Sequence, residues 1–94
     1  MSTPTLDQFR STMLAAGYDE VLERVWAPGT VLGTHTHPFE ANALVVQGEM
    51  WLNVAAEGAQ RLQPGDRFRV AAHVPHDERY GDDGATVWVA RKAA

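Results

Sequence analysis

The sequence predicts a single all-β domain, a sandwich or barrel, preceded by one short helix. Three observations predict it. After Gly17, short runs rich in Val, Trp, Leu and Phe alternate with turn signals at close, regular spacing. Before Gly17, Leu6, Phe9, Met13 and Leu14 recur at helical spacing. The length, 94 residues, is that of one domain.

The first element is the helix. Thr5 is placed to N-cap it, and Gln8 stands three residues later, as a capping box requires. Gly17 is placed to stop it, so residues 1–19 form the helical segment and 20–94 the β domain. The turn signals that follow are "APG" at 27–29, "QGE" at 47–49, "AEGA" at 56–59, "QPGD" at 63–66, "HVPH" at 73–76 and "GDDGA" at 81–85. They separate expected strands over 20–26, 30–36, 41–47, 49–55, 60–63, 67–71, 76–80 and 85–91. No repeat, linker or low-complexity stretch interrupts them.

Composition narrows the function. Net charge is −4 and no basic run exists, so nothing would neutralise a phosphate backbone and no nucleic-acid partner is expected. No apolar stretch approaches the roughly 20 residues of a membrane helix, so no membrane partner is expected either. The opening "MSTPTLDQFR" lacks a basic region followed by an apolar one, which argues against a signal peptide. There is no cysteine, which fits a reducing cytoplasm and removes disulfides as a support. A domain this small buries a modest fraction of its surface. A metal, a partner chain or economical packing must make up the difference.

The four histidines fall in two clusters, His35 with His37 and His73 with His76. Residues i and i+2 of a strand share a face, so His35 and His37 project side by side. That spacing suits a shared metal ion, with His76 the evident third ligand, and it also occurs in pairs of ordinary surface histidines. Neutral imidazole suits Zn, Cu, Fe and Ni.

The whole spacing resembles the cupin superfamily. Its first motif has the form G-x5-H-x-H-x3-E-x6-G, and Gly29, His35, His37 and Gly48 fall in register. Its second has the form G-x5-P-x-G-x2-H-x3-N, and Gly65 and His76 fall in register. The segment between the motifs, 49–64, is short, as in small microbial cupins. The resemblance covers about residues 20–91. It implies an antiparallel double-stranded β-helix, the jelly-roll or cupin barrel, with the short N-terminal α-helix outside it. It also implies three metal ligands, His35, His37 and His76. The chain departs from the pattern at the motif's Glu, which is Ala41, and at its Pro, Gly and Asn, which are Ala71, His73 and Tyr80.

Glu40 stands one residue before the motif carboxylate. Regular alternation from His37 puts Phe39 and Ala41 on its face and turns Glu40 away. A bulge near Pro38 would re-aim it and make it a fourth metal ligand; otherwise it is a surface carboxylate or one that orients a ligand histidine. Glu78 and Tyr80 share the face of His76 and are the candidate catalytic groups, with an exposed charge near the strand end as the other reading of Glu78. His73 reads as a residue at the cavity mouth or surface. Trp26, Met50, Trp51, Phe68 and Trp88 read as core or interface. Arg24 alternates with Trp26; on an inner face it would hold an anionic substrate, and on an outer face it is a surface charge.

The resemblance implies one divalent transition metal, Fe, Zn, Ni, Mn or Cu. Three histidines without a carboxylate leave open coordination positions, the arrangement of catalytic rather than structural sites. The expectation is a mononuclear centre acting on a small molecule, as in three-histidine cupin dioxygenases. The alternatives are isomerase- or hydrolase-like chemistry on Zn, Ni or Mn, or a non-catalytic module that senses a small molecule. A homodimer is expected, because the family forms dimers and sheet edges need covering.

Overall fold

The computed structural model describes residues 4–93; the remaining ends of the expected ranges 1–19 and 20–94 lie outside the described residues. One helix, α1 (Leu6–Ala15), precedes six strands: β1 (Glu20–Trp26), β2 (Val31–His35), β3 (Phe39–Val54), β4 (Ala59–Leu62), β5 (Arg67–Val70) and β6 (His76–Ala93).

The eight expected strands become six because two pairs are continuous. The windows 41–47 and 49–55 are one strand, β3, and 76–80 and 85–91 are one strand, β6. Their turn-like interruptions are corners rather than reversals. The β3–β6 register slips between Val45 and Gln47 and again between Gly48 and Met50, and such bulges bend a strand without ending it. Glycine is required at both corners. Gly48 and Gly84 have φ of 75° and 71°, and a Cβ on Gly48 would lie 2.1 Å from the Gly84 carbonyl oxygen. The two strands therefore turn together, backbone against backbone.

This folds the pairing into two four-stranded layers. One has the order β1, second half of β6, first half of β3, β5; the other has β2, first half of β6, second half of β3, β4. All pairs are antiparallel, which is the expected double-stranded β-helix. Strand alternation then makes two cores. Inward-facing Ala43, Val45 and Val87 of one layer meet Met50, Leu52 and Tyr80 of the other. Outward-facing Val21, Leu44, Trp88 and Ala90 lie under Phe9 and Met13 of α1.

The helix begins as its sequence dictates. The Thr5 hydroxyl accepts from the Gln8 N–H at 3.1 Å, and the Gln8 side chain accepts from the Thr5 N–H at 2.8 Å. Its buried stripe is narrower than the four apolar residues suggest: Phe9 and Met13 are buried, while Leu14 is 45% exposed. Burial of each such side chain stabilises by roughly 1.5–3 kcal/mol. The helix covers the outer face of the first layer, not an edge; among the described residues β1 pairs only with β6. No described helix is long and apolar enough to cross a membrane.

Candidate metal centre

His35 ends β2 and His76 begins β6, and the two are directly paired across the ladder. His37 follows in the connection to β3. The loop leading to His76 is tied to it by a bond from the His73 N–H to the His37 carbonyl at 2.8 Å. Residue 73 adopts φ of 65°, which accounts for a glycine at that place in the motif; His73 itself is exposed.

The three rings converge. Centroids are 4.3 Å apart for His35 and His76, 4.6 Å for His37 and His76, and 5.0 Å for His35 and His37. One ring nitrogen from each lies within 4.8 Å of the others. A bound ion would sit about 2.1 Å from each nitrogen. The ring tautomers suit it too. His35 Nδ1 lies 2.7 Å from the Gly33 carbonyl and His76 Nδ1 3.0 Å from the Val74 carbonyl. A carbonyl only accepts, so both Nδ1 atoms donate, and the Nε2 lone pairs are free for a cation. His37 is stacked flat on Phe39, at 4.6 Å and 5°. Burial first, then the neighbouring His76, His35 and Arg91, lower its pKa, which favours the unprotonated ring. These residues fit a resident divalent metal: three converging imidazoles, two with Nε2 directed by their Nδ1 hydrogen bonds, with one side open.

The open side faces a cavity of about 380 Å³ between the two layers. Glu78 and Tyr80 line it on the same face as His76. The Glu78 carboxylate lies 3.9 Å from His35 Nε2. Burial raises its pKa, against the opposing pull of His76, His35 and Arg24 and the hydrogen bond from Tyr80. The Tyr80 phenol is pushed up by burial and by the charge of Glu78, so it remains a protonated donor. Its ring stacks on Trp26 at 4.8 Å, and the Arg24 guanidinium lies 5.0 Å over Trp26. Arg24 therefore belongs to the cavity wall.

Glu40 is not brought to the histidines. Ala41 faces the cavity and Glu40 the opposite side of β3, as alternation without a bulge requires. Its carboxylate accepts from the Tyr18 hydroxyl at 2.6 Å and from Arg69 Nη2 at 2.7 Å. The hydrogen bonds from Arg69 and Tyr18 hold its pKa down at about 2. It thus joins β3 to β5 and to the segment after α1. Of the large apolar residues, Trp26 and Phe68 line the cavity, Met50 fills the inner core, and Trp88 lies under α1 and donates to Glu23 at 2.9 Å. Trp51 carries Arg79 at 4.0 Å over its ring.

Arg91 also lines the cavity, and sequence reasoning missed it. The signal was present as period-2 alternation, because Val87, Val89 and Arg91 share one face of β6.

One solved structure, from work on the DMSP lyases RdDddP and RnDddQII, is 27% identical with a TM-score of 0.72; the match covers 79% of this chain but only 38% of that one. An RmlC-like cupin from Shewanella frigidimarina is 26% identical, TM-score 0.67, over 78% of this chain and 65% of that one. Oxalate decarboxylase from Bacillus subtilis, a protein with Mn(II) centres, is 18% identical, TM-score 0.72, over 85% of this chain and 22% of that one, a likeness of fold alone. No curated protein matches the sequence. The cupin domain family pattern matches residues 22–90, which carry the three histidines and most of the strands and cavity lining, and the chain belongs to the cupin family.

Proposed function

We propose that this protein is a metal-dependent enzyme acting on a small molecule, with His35, His37 and His76 holding one divalent ion and Glu78 and Tyr80 facing the substrate. The observation that carries the reading is the convergence of three imidazoles, two of them with Nδ1 tied to a backbone carbonyl, on a largely apolar cavity. A bound ion of the Fe, Zn, Ni, Mn or Cu class would supply Lewis acidity there, and iron would add redox chemistry with O₂. Oxygenation of the substrate is the reaction we favour, because three nitrogen donors without a carboxylate leave several positions free. The chain's own groups divide the remaining work. Glu78, its carboxyl raised by burial, holds or releases a proton beside the histidines. Tyr80 donates a hydrogen bond from its hydroxyl to Glu78 and steadies that carboxyl at the cavity, and the apolar wall excludes water.

Elemental analysis of protein purified without a His-tag or added metal tests the site, with a His35→Ala/His76→Ala variant as control. Near-stoichiometric metal in the parent and none in the variant is the expected result. Oxygen uptake with panels of small thiols, diketones and phenolics then tests the reaction. Metal-loaded protein without turnover, together with ligand binding that survives in the variant, would replace the enzyme by a sensing module.

We also propose a homodimer in a reducing, cytoplasmic setting. The free edge of β1 and the exposed Val25 and Val31, at 75% and 68%, support a second copy against the β1 side. Light scattering that returned a single 10.3 kDa chain would refute the dimer.

A further inference from the structure

We propose that Phe39 is a positioning residue of the metal centre: its ring holds the imidazole of His37 in the plane from which a nitrogen meets the ion. Backbone carbonyls perform that task for the other two histidines. The proposal rests on the reading of the three histidines as metal ligands and names the side chain that orders the third.

The three ligands are not held alike. His35 ends β2 and His76 begins β6. In each, the Nδ1–H donates to a carbonyl two residues earlier, that of Gly33 at 2.7 Å and that of Val74 at 3.0 Å. His37 lies between β2 and β3, outside both strands. Its main chain is tied through its carbonyl to the His73 N–H at 2.8 Å. Its ring has no hydrogen-bond partner among the described residues.

An imidazole nitrogen binds a cation along its lone pair, in the plane of the ring. A ring free to turn about its Cβ–Cγ bond aims that lone pair in many directions, and partners that stop the turning sharpen a metal site. Phe39 is such a partner. Its ring lies parallel to that of His37, 4.6 Å between centroids and 5° between planes. Turning His37 out of that plane forfeits the stacked contact. Among the described residues, Phe39 is the aromatic side chain of the cavity wall that stacks on a histidine, whereas Trp26 and Tyr80 stack on each other.

The local sequence produces the pair. Pro38 biases the residue before it toward extended backbone, and in an extended chain positions 37 and 39 face the same way. Phe39 is held in its turn. It begins β3, where Ala41, two residues on, pairs with Arg91 of β6. The Arg91 guanidinium lies over the Phe39 ring at 4.8 Å and is ion-paired with Glu20 of β1. Three strands thus converge on one ring, and that ring on a ligand that no strand holds.

A ring that only fills space is replaceable by any apolar side chain of similar size, whereas a ring that orients His37 needs its flat face. The test therefore sets shape against volume. Cobalt(II), whose visible absorption reports the geometry of its ligands, is titrated into the metal-free full chain and into Phe39→Leu, Phe39→Met and Phe39→Tyr. Each is checked for folding by circular dichroism. Phe39→Leu and Phe39→Met are expected to fold, because position 39 is half-buried. They are expected to bind cobalt about tenfold or more weakly and to shift its absorption bands. Phe39→Tyr, which keeps the flat ring, is expected to restore the parent's affinity and spectrum. In the metal-free parent, nuclear Overhauser contacts between the His37 and Phe39 rings are expected. Their absence overturns the proposal without recourse to any variant. So does a loss in Phe39→Tyr as large as that in Phe39→Leu. Failure of both Phe39→Leu and Phe39→Met to fold makes Phe39 a structural residue of the barrel and overturns its positioning role. A parent that takes up no cobalt overturns the three-histidine reading and this proposal with it. A parent that binds cobalt, matched in affinity and spectrum by Phe39→Leu and Phe39→Met, overturns this proposal alone.

Discussion

Glu40 and Ala41 are neighbours on β3, yet the first is held by Tyr18 and Arg69 on the outside and the second lines the cavity. One step along a strand decides which face a side chain joins, and here it decides that the motif's carboxylate position contributes a methyl group. Glu40 is therefore a structural carboxylate, and its variant separates that role from metal ligation. Glu40→Gln is expected to retain the parent's metal stoichiometry while losing stability. The sign of the pH dependence follows from its depressed pKa. In the folded protein Glu40 titrates at about 2, against an ordinary value of 4.5. Its contribution is complete above about 4.5 and is lost as pH falls through that interval toward 2. Urea midpoints of parent and variant should thus differ at neutral pH and converge in acid. A variant without metal, or a gap that widens in acid, would contradict this assignment. Histidine positions were legible because spacing alone carries them. Arg91 was legible only as a member of the Val87, Val89 and Arg91 face, because Glu20 and Phe39, which hold it, approach it across strands.

At the scale of elements, the strand windows were legible from their apolar runs, and the corners were not. A glycine with positive φ serves equally in a hairpin reversal and in a bulged bend, and turn composition is the same for both. What distinguishes them is tertiary: the backbone of Gly84 lies against Gly48, so the strands continue through the bend as a pair. Gly48→Ala and Gly84→Ala are accordingly expected to be among the most damaging single-methyl changes in the chain. Each combines a left-handed conformation costing about 1–2 kcal/mol with a backbone collision that nothing flexible relieves. Thermal midpoints should fall by 10 °C or more at roughly 4–8 °C per kcal/mol. The β3–β4 connection offers the opposite case. Ala55 and Ala56 have φ of 53° and 58°, and the Glu57 N–H closes the turn on the Val54 carbonyl at 3.1 Å. Two consecutive left-handed residues make a turn that favours Asn-Gly. The double substitution Ala55→Asn/Ala56→Gly is expected to raise stability by about 1 kcal/mol, read as a higher urea midpoint with an unchanged slope. An unchanged or lower midpoint would show that the turn is not where strain is held.

At the scale of the whole molecule, packing and vacancy divide the barrel. Between the layers, Met50, Leu52 and Tyr80 close one part of the interior, while another part stays open as the cavity that the histidines face. The outer core under α1 is separate and leaves the cavity untouched. A small domain with an open interior has little stability to spare, so a ligand that ties β2, the β2–β3 connection and β6 together acts on the entire fold. His76 is the buried polar residue of that junction, 2% exposed. With zinc at a hundredfold excess over its dissociation constant, the stabilisation is about 2.7 kcal/mol. At roughly 4–8 °C per kcal/mol for a domain of this size, the thermal midpoint should rise by about 10–20 °C and fall back on adding chelator. The increment should shrink with acidification, because protons compete for the imidazoles. In His35→Ala/His76→Ala the baseline midpoint is lower, and it is the zinc-induced rise that must disappear. A rise of equal size in that variant would place the zinc elsewhere on the chain, and the three-histidine site would lose its main energetic consequence.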